Sequence, residues 1–287
     1  MKHTEKLTPP SSSFGRLWRK IPLVIRAILI GFGVNTLGVG LWVLLTRTLP
    51  IPWAIAAMAI VLILFWMYFS GSWNPVSTQE FRKFCFRQVK LKKDVWIWGM
   101  IGSLGFFGIV NLNWVLTFRF VQFEPETYKT AVFLNDMPLG LAWAAIIMSS
   151  LVAGIIEEIG FRGYMQTPLE KKYGAFKGIL ITAIIFFIAH LHQAWTNSIE
   201  IQIIIISIMI GYLAYATNSL IPGIIAHVLF DIVNFSYWWS DVIGTFRHQP
   251  ISITGIDKHF IISVAIFLFA TVVFLISIRK LLKLKSD

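Results

Sequence analysis

Long apolar segments recur along the whole sequence and set the limits on how the chain can fold. Several of them reach the length of about 18 to 25 residues that crosses the hydrocarbon core of a bilayer. Hydrophobic residues make up 56% of the chain and charged residues only 14%. A water-soluble fold would lack the polar surface needed to cover so much apolar area. The sequence therefore predicts an all-α, polytopic, integral membrane protein.

We expect about eight transmembrane helices, because the apolar segments are separated by short stretches that hold most of the charged residues. The segment 76–93 alternates aromatic with basic residues, which favours an amphipathic helix in the lipid headgroups, although a solvated loop is an alternative. The predicted spans are 27–46, 53–70, 95–118, 138 to beyond 157, 178–195, 201–216, 220–239 and 260–278.

These spans divide the chain into four parts without an internal repeat or a second domain. A basic tail, 1–26, precedes the N-terminal helices of 27–137. The part 138–240 carries the polar residues inside the membrane, and 241–287 forms an external loop and the C-terminal helix.

The distribution of positive charge predicts the orientation of the chain in its membrane. With a cytoplasmic N-terminus, twenty Lys and Arg residues lie on the cytoplasmic side and five on the opposite side. Such a bias is typical of multi-pass proteins and predicts that both termini are cytoplasmic. No basic patch stands away from a membrane boundary, so the net charge of +11 does not indicate nucleic-acid binding. The single cysteine, Cys85, excludes an intrachain disulfide and a thiolate zinc site.

Ionisable residues inside the predicted spans are the candidates for function, because a charge in a bilayer costs roughly 3 kcal/mol or more. Glu157 and Glu158 are adjacent, so on a helix their side chains point about 100° apart. Glu158 and Arg162 have the spacing and order of a favourable ion pair, which leaves Glu157 without a local partner. Glu157 is then a candidate general base, with Glu158 and Arg162 as its support. A helix end with ordinary solvated charges fits this segment equally well.

Two glycines flank this candidate base. Gly154 and Gly160 each lie three residues from Glu157. The absence of a side chain at both positions would leave space beside the carboxylate or would let another helix approach closely.

The next predicted span carries two histidines. His190 follows Phe186 by one helical turn, which assigns it to a defined face and makes it the better candidate for function. His192 fits a packed, hydrogen-bonded residue more readily than a catalytic one.

The seventh predicted span carries His227, Asp231 and Asn234, whose spacings of four and seven place them on one stripe of a helix. A His and an Asp stacked inside a membrane need a shared partner, which could be water, a metal or a substrate. At a rise of about 1.5 Å per residue, Glu157, His190, His227 and Asp231 all fall in the middle layer of a bilayer roughly 30 Å thick. Their convergence is therefore plausible.

Taken in order, the patterns Glu157-Glu158-x-x-x-Arg162, Phe186-x-x-x-His190 and His227-x-x-x-Asp231 resemble the three motifs of the CAAX protease and bacteriocin-processing family, also called CPBP or Abi. This family includes the type II CAAX prenyl endopeptidases. The resemblance covers about 140–240. It implies an all-helical membrane fold, here in a bacterial plasma membrane, with a water-filled cavity that opens to the cytoplasm.

The resemblance also implies a role for each motif residue. Glu157 and His190 would activate a water molecule, and His227 and Asp231 would stabilise the oxyanion, which agrees with the chemistry of these groups. Many members have Asn at the position of Asp231. An ionised carboxylate there would repel an oxyanion, so Asp231 is expected to be protonated, to orient His227 or to bind a metal.

The same four residues could in principle bind zinc, because two imidazoles with one or two carboxylates are a zinc ligand set. The sequence contains no HExxH motif, and His227 and Asp231 are the only strong ligands spaced four apart. We favour water activation without a metal and keep a zinc site, with His190, His227, Asp231 and Glu157 as ligands, as the alternative.

The sequence thus predicts an intramembrane endopeptidase that cuts a membrane-associated peptide or protein at the cytoplasmic face. A prenylated protein and a leader peptide fit equally well as substrate. One alternative is a non-proteolytic bacteriocin-immunity or scaffold protein of the same family. The other is a transporter with a proton relay, against which the sequence shows no repeated pair of broken helices.

Overall fold

The computed structural model of the chain consists of helices joined by short connections, and its described part contains no β-strand. Most of the predicted basic tail, 1–26, lies outside the described residues, as does His192. The structure describes residues 17–18, 20–121, 131–191, 197–240 and 247–286.

The helices follow one another along the chain with short 3₁₀ turns at Val76–Thr78 and Val132–Asp136. In chain order they are α1 (Leu23–Thr48), α2 (Ile51–Phe69), α3 (Gln79–Phe86), α4 (Lys93–Phe120), α5 (Leu139–Glu157), the π-helical segment π1 (Glu158–Gln166), α6 (Thr167–Tyr173), α7 (Ala175–Ala189), α8 (Asn197–Thr217), α9 (Ile221–Trp239), α10 (Ile251–Thr254) and α11 (Lys258–Ser286).

Five helical stretches in the described part of the chain are long and apolar enough to cross a membrane. They are α1, α2, α4, α11 and the continuous stretch Leu139–Tyr173, which joins α5, π1 and α6. The apolar parts of α7, α8 and α9 are shorter. These helices confirm the predicted all-α fold class. The count of eight spans and the cytoplasmic position of both termini stay predictions.

Prolines set the starts of several of these helices. Pro50 and Pro138 immediately precede α2 and α5, and Pro222 lies in the first turn of α9. Proline suits these positions because its φ is already helical and its missing N–H is not needed in the first turn.

Helix α7 is shorter than predicted, because it ends at Ala189 rather than at 195. His190 leaves the helical conformation at φ −104° and ψ 8°. Its ring Nδ1 lies 2.8 Å from the carbonyl oxygen of Phe186, while its backbone N–H donates to the carbonyl of Phe187 instead. The side chain of His190 thus replaces the backbone hydrogen bond that would have continued the helix.

The stretch Leu139–Tyr173 is the central helix, and the helical register changes at the predicted functional motif. From Glu158 to Gln166 the backbone is π-helical, and all nine residues of π1 are buried. A π-helical turn is wider than an α-helical one and is often found at functional sites. Glu157 is the last α-helical residue before this change.

The two glycines that flank Glu157 allow other helices to approach the central helix. A Cβ on Gly154 would lie 2.5 Å from Cγ2 of Val228 on α9. A Cβ on Gly160 would lie 2.8 Å from the carbonyl oxygen of Gly31 on α1. Close helix approach, one of the two predicted roles, is therefore what both glycines provide.

The segment 76–93 contains a shorter helix than predicted, α3, and two of its basic residues are buried rather than solvated. Arg82 donates to the carbonyls of Trp73 and Pro75 at 2.5 and 2.7 Å. Arg87 forms an ion pair with Glu170 at 2.8 Å. Both arginines therefore hold the fold together, because Arg82 donates to backbone carbonyls that need a donor and Arg87 neutralises a buried carboxylate. The location of α3 in the lipid headgroups stays a prediction.

Candidate active site

Glu157 lies at the junction between α5 and π1 and faces an internal cavity of about 100 Å³. Its side chain is buried, with the residue only 8% exposed, and Oε2 accepts no hydrogen bond within the described part of the chain. The cavity also touches α4, α7, α8 and α9. It has room for several water molecules, each of which occupies about 30 Å³ in the liquid.

His190 is the nearest titratable partner of Glu157. Its Nε2 lies 3.5 Å from Oε2 of Glu157. Because Nδ1 is within 2.8 Å of the Phe186 carbonyl, it is the proton-bearing donor, and Nε2 is the ring nitrogen directed at the carboxylate. The ring also stacks on Phe186, with centroids 4.1 Å apart. These contacts fix the orientation of His190 beside Glu157.

His227 on α9 lies between two carboxylates. Its Nδ1 is 2.8 Å from Oε1 of Glu158, and its Nε2 is 3.5 Å from Oδ2 of Asp231. The contact with Asp231 was expected from their spacing on one helix. The contact with Glu158 joins residues 69 positions apart and was not expected.

The predicted ion pair of Glu158 and Arg162 is present, with Nη1 and Oε1 3.0 Å apart. Neither side chain is exposed to solvent. Arg162 also donates to Oγ of Ser207 at 3.0 Å and lies over the ring of Phe186 at 4.6 Å. Arg162 therefore neutralises Glu158 and connects the central helix to α7 and α8.

Most of the predicted site residues share the cavity, whereas Glu158 and Arg162 lie behind it. The predicted site residues that line the cavity are Glu157, Phe186, His190, His227, Asp231 and Asn234. The cavity is also lined by Gln202 and Trp114, which no sequence pattern indicated. Gln202 could have been found as the single amide within the predicted span 201–216, but nothing near it in sequence connects it to the three motifs.

A second and larger cavity, of about 710 Å³, lies beside the first on the side of α1 and α2. Its lining is mostly apolar, with Arg47 and Thr46 near the end of α1. Phe235 lines both cavities and separates them. The site thus adjoins a space large enough for a sizeable apolar group.

The predicted zinc alternative does not fit this arrangement. Among the residues that the structure describes, no group of three or more His, Cys, Asp or Glu side chains could hold a metal ion. The nearest carboxylate to each Nε2 atom differs, with Glu157 at 3.5 Å from His190 and Asp231 at 3.5 Å from His227. We therefore derive no step through a metal.

Comparison with protein families gives one match, and it covers the segment that holds the site. Residues 138–233 match the family described as type II CAAX prenyl endopeptidase Rce1-like. No curated protein and no solved structure matches the chain significantly. The match confirms the resemblance to the CAAX protease family and supports a peptidase that acts on a peptide or protein.

Proposed function

We propose that the chain is an intramembrane endopeptidase in which Glu157 and His190 activate the water that attacks a peptide bond. The single observation that carries this proposal is the pair itself: Oε2 of Glu157 and Nε2 of His190 lie 3.5 Å apart and face one buried cavity. A carboxylate and an imidazole at this separation can both contact one water oxygen at about 2.8 Å.

The hydrolysis then proceeds by proton transfers that these residues can carry out. Glu157 removes a proton from the water, and the water oxygen bonds to the carbonyl carbon of the substrate. When the C–N bond breaks, the proton held by Glu157 passes to the leaving amine nitrogen. His190 accepts a hydrogen bond from the same water through Nε2 and so keeps the water in position.

The oxyanion of the tetrahedral intermediate needs a donor on the opposite side of the cavity, and His227 is the proposed one. Nδ1–H of His227 donates to Glu158, so the ring can donate to the oxyanion through Nε2–H only as the imidazolium, a form that the two flanking carboxylates favour. A preorganised donor at this position is worth about 10²- to 10³-fold in rate. We assign Asp231 the role of holding the ring of His227.

The surroundings of the site support a substrate that is itself associated with a membrane. Apolar helices surround the cavity, and the larger apolar cavity adjoins it at Phe235. A prenylated protein and a hydrophobic leader peptide both have this character. We also propose eight spans, with both termini cytoplasmic in a bacterial plasma membrane, from the charge distribution and the family resemblance.

The test compares the purified wild type with Glu157→Gln on a pool of peptides, with products identified by mass spectrometry. Glu80→Gln is the matched control, because Glu80 is an exposed glutamate on α3 far from the cavity motifs in sequence. We expect cleavage by the wild type and Glu80→Gln, and a loss of more than about 100-fold in Glu157→Gln. Equal cleavage by all three proteins would remove Glu157 from the mechanism. Absence of cleavage by all three would favour a scaffold or immunity protein.

A further inference from the structure

Two amide side chains that the proposed mechanism does not use are buried at the candidate active site. Gln202 on α8 is 6% exposed, and Asn234 on α9 is 8% exposed. Both line the cavity that holds Glu157 and His190. Gln202 Nε2 and Asn234 Oδ1 have no hydrogen-bond partner among the described residues. A buried amide group without a hydrogen-bond partner destabilises a folded protein. We therefore expect these two amides to bind a molecule that enters the cavity.

The position of the two amides indicates what that partner is. Asn234 lies one helical turn beyond Asp231 on α9, whereas Gln202 projects from a different helix. Together they offer a donor and an acceptor beside the groups proposed to hydrolyse a peptide bond. A peptide backbone carries the complementary pair, a C=O and an N–H, in every residue.

Gln202 also borders another cavity of about 100 Å³. Apart from Gln202 and Asn113, apolar side chains line this space, among them Ile109, Val110 and Phe267. A substrate residue whose backbone is bound at Gln202 would therefore direct its side chain toward an apolar surface.

We propose that Gln202 and Asn234 bind the substrate backbone next to the scissile bond. Nε2–H of Gln202 donates to a substrate carbonyl, and Oδ1 of Asn234 accepts from a substrate N–H. The cavity beyond Gln202 selects an apolar side chain at that position. This inference rests on the proposed function, because it assigns the substrate of the same site.

The test measures peptide binding to the uncleaving Glu157→Gln protein. The probe is the tightest binder from a pool of blocked decapeptides with apolar centres, together with its analogues in which an ester replaces one backbone amide. Gln202→Met and Asn234→Leu remove the amides at nearly constant side-chain size. Asn35→Leu is the control, because Asn35 on α1 also has a buried Oδ1 without a partner but does not line the cavity.

We expect Gln202→Met and Asn234→Leu each to weaken binding about 5- to 30-fold, the size of one or two net hydrogen-bond energies. One ester analogue, which lacks the N–H that Asn234 would accept from, should bind more weakly than the parent peptide to the Glu157→Gln protein. In the protein that also carries Asn234→Leu, this analogue and the parent peptide should bind with equal affinity. Melting temperatures should stay constant or rise, because each variant removes an unsatisfied polar group. Unchanged affinity in both variants, a lower melting temperature in both, or no binding of any decapeptide would overturn the inference.

Cleavage assays separate this result from the proposed function. An active wild type whose affinity does not depend on Gln202 and Asn234 would overturn the recognition alone. Binding that depends on both amides without any cleavage by the wild type would support the recognition and overturn the hydrolysis.

Discussion

Nδ1 of His227 lies 2.8 Å from Oε1 of Glu158, the same oxygen atom that Nη1 of Arg162 approaches at 3.0 Å. One carboxylate oxygen thus connects a fully buried arginine to the proposed oxyanion donor. The neighbouring Glu157 has no such structural role, because its contact with His190 is longer, at 3.5 Å. We therefore expect the two adjacent glutamates to contribute differently to stability and catalysis.

Substitution of each glutamate should separate the two contributions. We expect Glu158→Gln to destabilise the protein by about 3 kcal/mol, because it leaves the charge of Arg162 buried without a counterion. Glu157→Gln should keep the melting temperature of the wild type and lose activity. Thermal unfolding in detergent and cleavage rates on the same samples give both quantities. Equal melting temperatures for the two variants would contradict the structural role of Glu158.

Asp231 can be tested through the residue that many family members carry at its position. We expect Asp231→Asn to keep activity within about threefold of the wild type, because an amide can still contact His227 and can donate to an oxyanion. Asp231→Leu should lose about 10²-fold or more in kcat/KM, because His227, the proposed oxyanion donor, would lose the group that holds its ring. An inactive Asn variant would mean that the carboxylate itself takes part in proton transfer.

The sequence predicts the local relationships of this site and misses those that depend on tertiary contacts. The ion pair of Glu158 with Arg162 and the stripe from His227 to Asp231 follow from helical spacing alone. The contact between Glu158 and His227 does not, because it joins two helices. The change to a π-helix at Glu158 is also absent from the apolar pattern, which predicts a continuous helix through this segment.

The end of α7 and the position of Gln202 at the cavity were missed for the same reason. Hydropathy extends the fifth predicted span to 195, but the ring of His190 takes the carbonyl of Phe186 and ends α7 at Ala189. A single glutamine in an apolar helix gives no signal of its own. Its relation to the candidate site becomes visible only in the fold, where Gln202 and Glu157 line the same cavity.

The fold should not tolerate a side chain at position 154, because α9 packs against the central helix in the space that a Cβ on Gly154 would occupy. We expect Gly154→Ala to destabilise the protein by about 1–3 kcal/mol, because the added methyl group would lie 2.5 Å from Val228 Cγ2. Activity should fall as well, because Val228 adjoins His227. Gly140→Ala on the same helix is the control, since no atom lies within 4 Å of the added Cβ. Equal melting temperatures for the two variants would contradict the close packing of α5 and α9.

Asp257, which precedes α11, should make the stability of the fold depend on pH in the acidic range. The side-chain hydrogen bonds from Arg119, at 2.7 and 3.0 Å, hold the pKa of the Asp257 carboxyl well below its usual range. The stabilisation is then complete above the ordinary pKa of about 4 and is lost as the pH falls below that value toward the pKa of the folded state. Asp257→Asn should therefore lower the melting temperature at pH 7 and reduce the dependence on pH below 4. Asp136→Asn, at an exposed aspartate, should change neither; the same acid response in both variants would contradict the assignment.

The predicted orientation can be measured by cysteine labelling, because the natural cysteine is protected. Cys85 is fully buried, and burial raises the pKa of its thiol to about 12, so it should not react with maleimides at neutral pH. Single cysteines are then introduced at exposed positions near the helix ends: Lys20→Cys and Lys283→Cys on the predicted cytoplasmic side, and Thr48→Cys and Ile256→Cys on the other. A membrane-impermeant maleimide should label only the second pair in intact cells and all four after permeabilisation. Labelling of one residue from each pair in intact cells would mean that the number of spans differs from eight.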